Sequence, residues 1–249
     1  MAATLSTRSV VRLGSGNAAG AQADAREALT SFSAGGYRVG KAITLLHLGE
    51  AAAFAGDDAA ALGHLQAARA IVREIKHPET EGEVELALGE LALARGQHAD
   101  GAAALARSLA VCSAAGDLRG EAQARAALAR ADLAAGQLDA AAERLQAALA
   151  TFDRFAMRAP WLVALEDSVD LLARRGAAAD AVALAAAAQA GREATGLARS
   201  PRAQTAWLLL LDGQRQVLGA AAFLAAWQQG QDWGRAETHR QALQACAAA

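Results

Sequence analysis

Residues 46–70 read LHLGEAAAFAGDDAAALGHLQAARA, and residues 86–110 read LALGELALARGQHADGAAALARSLA. Shifted by 40 residues, Leu48 falls on Leu88, Gly49 on Gly89, Gly56 on Gly96, Ala61 on Gly101, Leu65 on Leu105 and Ala68 on Ser108. The lattice continues outward. Glycine stands at 16, 56, 96, 136 and 176, and Leu128, Ala129, Ala141, Leu145 and Ala148 extend the other columns. A last unit matches more loosely, with Val169, Ala181, Ala185 and Ala188. Gly36, Gly116 and Gly196 close alternate units. A fixed period of this size marks a repeat architecture, in which each unit buries its apolar face only against its neighbours.

Within one period the pattern is that of a helical hairpin. A first helix is expected over roughly 39–55 and equivalently in later units, ending at Gly56, Gly96, Gly136 and Gly176, where a helix terminus favours a left-handed residue. Second helices are expected over roughly 59–75, 99–114, 138–154 and 178–193, with Asp57, Asp139 and Asp180 placed to cap them. Leu62, Leu65, Arg69 and Val72, or Leu138, Leu145, Leu149 and Phe152, have the three-to-four spacing of a buried stripe. Small residues at 49 and its equivalents let two helices approach closely. Pro78, Pro160 and Pro201 sit at junctions between units, where proline suits a helix start.

Composition supports the same reading. The chain has 249 residues, 74 of them alanine, with three prolines and 4% aromatics. Alanine is the best helix former, and the β-branched and aromatic strand formers are scarce. The net charge of −2 leaves no basic excess for phosphate contacts, so direct nucleic-acid binding is not expected. Cys112 and Cys246 have neither disulfide-framework nor zinc spacing, and Cys112 reads as a small core residue. No apolar run has the ~18–20 residues of a membrane span. The first 20 residues lack the apolar stretch of a secretory signal and read as a first helix. A reducing cytoplasm is the simplest expected compartment.

These columns resemble the tetratricopeptide repeat. With Gly49 as its first small residue, Leu45 and Leu48 take its early large and leucine positions, and Ala61, Leu65 and Ala68 take the alanine, large apolar and alanine positions of its second helix. The aromatic positions are filled by leucine or alanine, and the period is 40 rather than 34. The resemblance implies an all-α, right-handed solenoid of about five helical hairpins over residues 1–196, with divergent capping helices over 197–249. The tail contains a helix expected from about Arg202 to Leu218, then Leu218-Gly219, Phe223, Trp227, Gly230, Ala242 and Leu243. It resembles the carboxy-terminal end of bacterial regulators in which a P-loop ATPase precedes a helical-repeat arm, often joined to a LuxR-type helix-turn-helix. The longer period is similar to the divergent repeats of such regulators.

Catalytic and cofactor motifs are missing. There is no G-x-x-x-x-G-K-[ST], H-E-x-x-H or G-x-S-x-G. The glycine-rich string from Gly14 to Gly20 misses nucleotide-loop spacing and reads as an inter-helix turn. The five histidines, His47, His64, His77, His98 and His239, share no ligand spacing and read as surface or helix-end residues. No cofactor or metal is expected, and the chain reads as a non-enzyme.

The resemblance implies that the first helix of each pair lines a concave groove. The positions carried over are Ile43, Leu46, Glu50, Ala53 and Phe54, then Glu83, Leu86, Glu90 and Leu93, then Gln123, Ala126, Arg130 and Leu133, then Val163, Glu166, Asp170 and Arg174. One row reads Glu50, Glu90, Arg130, Asp170. An apolar face with a few charges suits a protein or peptide ligand. The expected function is a protein-interaction scaffold, the arm of a bacterial signalling or transcriptional regulator or a stand-alone relative, with self-association as one mode. The alternative is a small-molecule inducer sensor, with Phe54, Glu50 and Glu90 as pocket residues.

Overall fold

The computed structural model describes residues 1–247, and among these it contains thirteen α-helices and no strand. In order they are α1 (Ala2–Gly14), α2 (Ala18–Ala34), α3 (Arg38–Ala55), α4 (Asp58–Ile75), α5 (Pro78–Ala94), α6 (His98–Ala115), α7 (Leu118–Ala134), α8 (Leu138–Arg154), α9 (Arg158–Arg174), α10 (Ala178–Thr195), α11 (Pro201–Leu218), α12 (Ala220–Gln231) and α13 (Arg235–Ala247). The first ten form the five expected hairpins.

The turns explain the lattice and double its frequency. Backbone φ is positive at residues 16, 36, 56, 76, 96, 116, 136, 156, 176 and 196, once every 20 residues. Each helix with its turn is therefore one step. At Gly56, with φ 85° and ψ 8°, the left-handed turn lets the cap N–H groups satisfy carbonyls of the last turn of α3. Eight of the ten positions are glycine. The other two, Lys76 (φ 54°) and Ala156 (φ 52°), hold a conformation that costs an ordinary side chain about 1–2 kcal/mol. Those two substitutions hide the 20-residue step from a search for glycines.

Capping departs from expectation at two places. Asp57 accepts from the Ala60 N–H at 3.0 Å and caps α4. Asp139 and Asp180 instead lie inside the first turns of α8 and α10, because Gln137 and Ala177 occupy the cap positions. Their carboxylates act on the positive end of the helix rather than on a cap N–H. The glycine-rich string is the α1–α2 turn, with Asn17 accepting from the Gly20 N–H at 2.9 Å.

The helices pack as two compact units, residues 1–124 with 198–202, and residues 125–197 with 203–247. In the first unit each helix from α1 to α6 packs on the next, and α1 packs on α3 and α3 on α5. The even helices do not pack on one another to a comparable extent, so the odd helices form the tighter layer. Close crossing of the layers requires the small residues. A Cβ at Gly49 would lie 2.6 Å from Leu65 Cγ, and one at Gly89 would lie 2.6 Å from Leu105 Cγ. Leu65 and Leu105 are fully buried as a result, each contributing about 1.5–3 kcal/mol. Cys112 is likewise in the core, with its sulfur over Gly82.

The second unit follows the same hairpin scheme through α8, α9 and α10, and then closes it. α12 packs along α10, and α13 packs on α8, α9 and α10. Helix α10 is thus buried nearly all round, from Ala181 through Ala188. Its alanines are the loose match of the last repeat. Where earlier units have Gly49 with Leu65 and Gly89 with Leu105, this one has Val169 and Ala185 in the same columns, both fully buried. The approach of α12 to α10 is closest at Gly230, where a Cβ would collide with the Ala183 carbonyl group and lie 2.6 Å from its carbon. Trp161 Nε1–H donates to His239 Nδ1 at 3.2 Å, and Arg235 stacks over the Trp161 ring, tying α13 to α9.

Candidate functional site

In the first unit the expected groove positions are Ile43, Leu46, Glu50 and Phe54 on α3, and Glu83, Leu86 and Glu90 on α5. Leu46 is buried, Ile43, Phe54 and Leu86 are half-buried, and Glu83 and Glu90 are exposed. Successive residues at i, i+3 and i+7 share a helix face, so Ile43, Leu46 and Glu50 line one side of α3, and Glu83, Leu86 and Glu90 repeat it on α5.

Electrostatics distinguish this face. Glu50 is half-buried, and loss of water together with the like charges of Glu90 and Glu83 pushes its carboxyl up to about 8. At neutral pH it is mostly protonated. Glu83 is also raised, by desolvation and then by Asp117 and Glu79. Asp117 has a second role at the start of α7, accepting from the Arg119 and Gly120 N–H groups at 3.1 Å. The structure therefore brings Glu50, Glu83 and Glu90 into one interacting group.

One face residue differs from its sequence reading. His47, three positions before Glu50, is neither a surface nor a helix-end residue. It is half-buried in the middle of α3, shares a 3.0 Å hydrogen bond with Ser6 of α1, and burial lowers its pKa to about 4. A serine hydrogen-bonded to histidine can serve nucleophilic chemistry. Here the imidazole is a poor proton acceptor at neutral pH, and Ser6 is buried with 6% exposure. The pair acts as a tie between α1 and α3. Among the other histidines, His77 caps α5, His98 opens α6 and His239 bonds Trp161.

The equivalent positions of the second unit are occupied by internal pairing. Arg130 lies 3.7 Å from Asp167. Asp170 takes the Nε–H of Arg174, one turn along α9, at 2.9 and 3.0 Å. Glu166 receives Arg192 Nη2–H at 2.9 Å, and is the counter-ion of an arginine only 9% exposed. The unit also has an open cleft of about 890 Å³ whose lining includes Asp139, Arg175, Asp180, Trp233, Gln241 and Gln244. Arg175 in that cleft is already engaged, with Asp139 at 3.0 Å and the Ala245 carbonyl at 2.8 Å. Among the described residues no cluster of His, Cys, Asp and Glu could hold a metal, and no helix is long and apolar enough to cross a membrane.

Stacked helical hairpins with a small-residue crossing and a left-handed residue at each turn define a tetratricopeptide-like helical repeat protein of the α-solenoid class. Solved structures agree. BtubC (BKLC) from P. vanneervenii superposes with a TM-score of 0.58 at 17% identity, over 94% of this chain and 92% of that one. The nearly identical TPR-like repeats of a Podosopora anserina chain assigned as a kinesin light chain superpose with a TM-score of 0.53 at 16% identity, over 77% of this chain and 94% of that one. At these identities the likeness is one of fold. No family model and no curated protein matches the sequence.

Proposed function

We propose that the chain is a non-catalytic protein-interaction scaffold whose layer of odd helices receives a protein or peptide segment. The observation that carries this reading is the carboxylate group Glu50, Glu83 and Glu90, on helices whose half-buried apolar residues include Ile43, Phe54 and Leu86, while Leu46, expected in the groove, is taken up by the core. Crowding like charges on a half-buried face works against stability, and such departures concentrate at functional sites. A cationic segment with apolar anchors would relieve the repulsion and cover the half-buried Ile43, Phe54 and Leu86 side chains. Tetratricopeptide-like folds commonly serve in protein interaction, which agrees.

Peptide display against the full chain tests it. Enriched sequences should carry Lys or Arg beside apolar residues, and Glu50→Lys with Glu90→Lys should abolish their binding. A library that yields no sequence sensitive to these changes would refute the reading. Binding should also release a proton at pH 7, because a cation beside Glu50 lowers its raised pKa. Calorimetry in buffers of different ionisation heat measures that proton.

The finer assignment, the arm or a stand-alone relative of a bacterial signalling regulator in the cytoplasm, rests on the tail residues, the 40-residue period and the lack of a disulfide framework. Gly219, with φ 75°, turns α11 into α12, and Phe223 stacks on Trp227 at 5.9 Å. A P-loop ATPase encoded upstream in the same reading frame would support it, and an unrelated neighbour would remove it. The sensor alternative was expected at Phe54, Glu50 and Glu90, none of which lines the cleft of the second unit, where an inducer would find an opening instead. A metabolite that raises the melting temperature, and fails to do so in Trp233→Ala, would favour it over the scaffold.

A further inference from the structure

Five residues from far along the chain, Ala198-Arg199-Ser200-Pro201-Arg202, pack with residues 1–124. Leu197–Ser200 lie outside any helix, and Pro201 opens α11. The Ala198 N–H donates to the carbonyl of Gly14, the last residue of α1, at 2.8 Å. Its methyl group lies over Gly16, where an added Cβ would come within 3.0 Å of it. Further on, the Arg202 guanidinium donates to both carboxylate oxygens of Asp58, at 3.1 and 3.0 Å, and to the carbonyl of Ala94, the last residue of α5, at 3.3 Å. The segment is thus held by a backbone hydrogen bond at one end and an arginine fork at the other.

The edge it touches suits a cation. Helix carboxy termini present unsatisfied carbonyls and the negative end of the helix dipole, and Ala94 is such a terminus. Asp58 adds a carboxylate whose two oxygens both accept from Arg202 Nη2, while Nη1 reaches the Ala94 carbonyl. The same unit carries Glu50, Glu83 and Glu90, whereas the segment carries two arginines and no acid. Pro201 keeps Ser200 out of the helical region, so the chain arrives extended. A main-chain hydrogen bond combined with a charged anchor is a mode of peptide recognition.

We propose that the first unit carries a receptor edge for an extended, arginine-bearing segment, and that residues 198–202 are its resident occupant. A partner segment of the same chemistry binds by displacing them. This rests on the scaffold reading and adds the partner chemistry and an intramolecular competitor. The tether supplies that competitor at millimolar effective concentration, so the free edge should bind far more tightly than the occupied one.

The test titrates a fluorescein-labelled peptide of residues 196–204, GLARSPRAQ, into the full chain while anisotropy is recorded. The wild-type chain should bind it weakly. The R202E chain, whose own segment is repelled by Asp58, should bind it at least tenfold more tightly. Asp58→Asn in the R202E background should remove that gain. Equal affinity for wild type and R202E, a gain that survives Asp58→Asn, or no binding to a folded R202E chain would each overturn the proposal. Should R202E fail to fold, tryptic cleavage after Arg199 decides. It should run at least fivefold faster in the Asp58→Asn chain than in wild type, and unchanged cleavage overturns the proposal. Display peptides that need Glu50 and Glu90 but ignore Asp58 would remove the receptor edge and leave the scaffold reading standing.

Discussion

The two units use one hairpin scheme and treat its charged positions in opposite ways. In the first, Glu50 stands near the like charges of Glu83 and Glu90 and is held largely protonated at neutral pH. In the second, Asp170 and Glu166 are answered from within their own unit by Arg174 and Arg192. The apolar positions diverge too. Leu65 and Leu105 fill the crossings of the first unit against Gly49 and Gly89, while the second unit has Val169 and Ala185 in those columns. The difference teaches that a repeat lattice specifies where side chains stand, and that local surroundings decide whether like charges crowd there or opposite charges pair.

The largest effect that could break this comparison is at Gly230. Replacement by alanine drives a methyl into the Ala183 backbone and should cost about 3 kcal/mol or more in chemical denaturation, because backbone has little room to yield. Gly213 is the control: nothing lies within 4 Å of where its added methyl would sit, and G213A should be neutral or slightly stabilising. Equal costs at the two sites would show that the cap does not close on α10 as described.

Next comes the pH dependence of the first unit. The Glu50 carboxyl is raised from 4.5 in the unfolded chain to about 8 when folded. Between these values the unfolded chain sheds a proton that the folded chain keeps, so stability falls as pH rises from about 4.5 to 8. E50Q should flatten that slope and stabilise the chain at pH 8 by about 2–4 kcal/mol. Melting curves that keep the wild-type slope in E50Q would contradict the clustered carboxylates. His47 acts on the acid side. Its pKa drops from 6.5 to about 4 on folding, so stability is lost as pH falls through that window, by about 3 kcal/mol. His47→Gln should remove the loss, as followed by circular dichroism from pH 7 to pH 4.

The smallest effect sharpens the shared part of the scheme. Lys76→Gly in the first unit and Ala156→Gly in the second should each stabilise by about 0.5–1 kcal/mol, since relief of the left-handed strain exceeds the entropic cost of glycine. Destabilisation at either site would mean that the 20-residue step is not maintained there.

Much of the fold was legible because helix ends and crossings demand particular residues. Gly56 and its equivalents, Gly49 against Leu65, and the span of α4 from Asp58 to Ile75 all follow from spacing. The expected caps at Asp139 and Asp180 did not form, because a small offset along the chain places each inside its helix. The repeat columns of α3 and α5 were legible, but the mutual influence of Glu50, Glu83 and Glu90 was not. His47 was missed because its burial depends on Ser6, 41 residues away. Its i, i+3 spacing from Glu50 was the one signal that could have placed it on the same face. The role of residues 198–202 left no periodic signal at all.

Sequence by itself determined the helices, their turns and the hairpin repeat, since those depend on backbone conformation and on contacts between neighbours close along the chain. Tertiary structure decided which charges crowd, which are paired, and that the Arg202 side chain meets Asp58 at a sequence separation of 144 residues. Those outcomes depend on desolvation and on distances between residues remote in sequence, and a linear pattern carries neither.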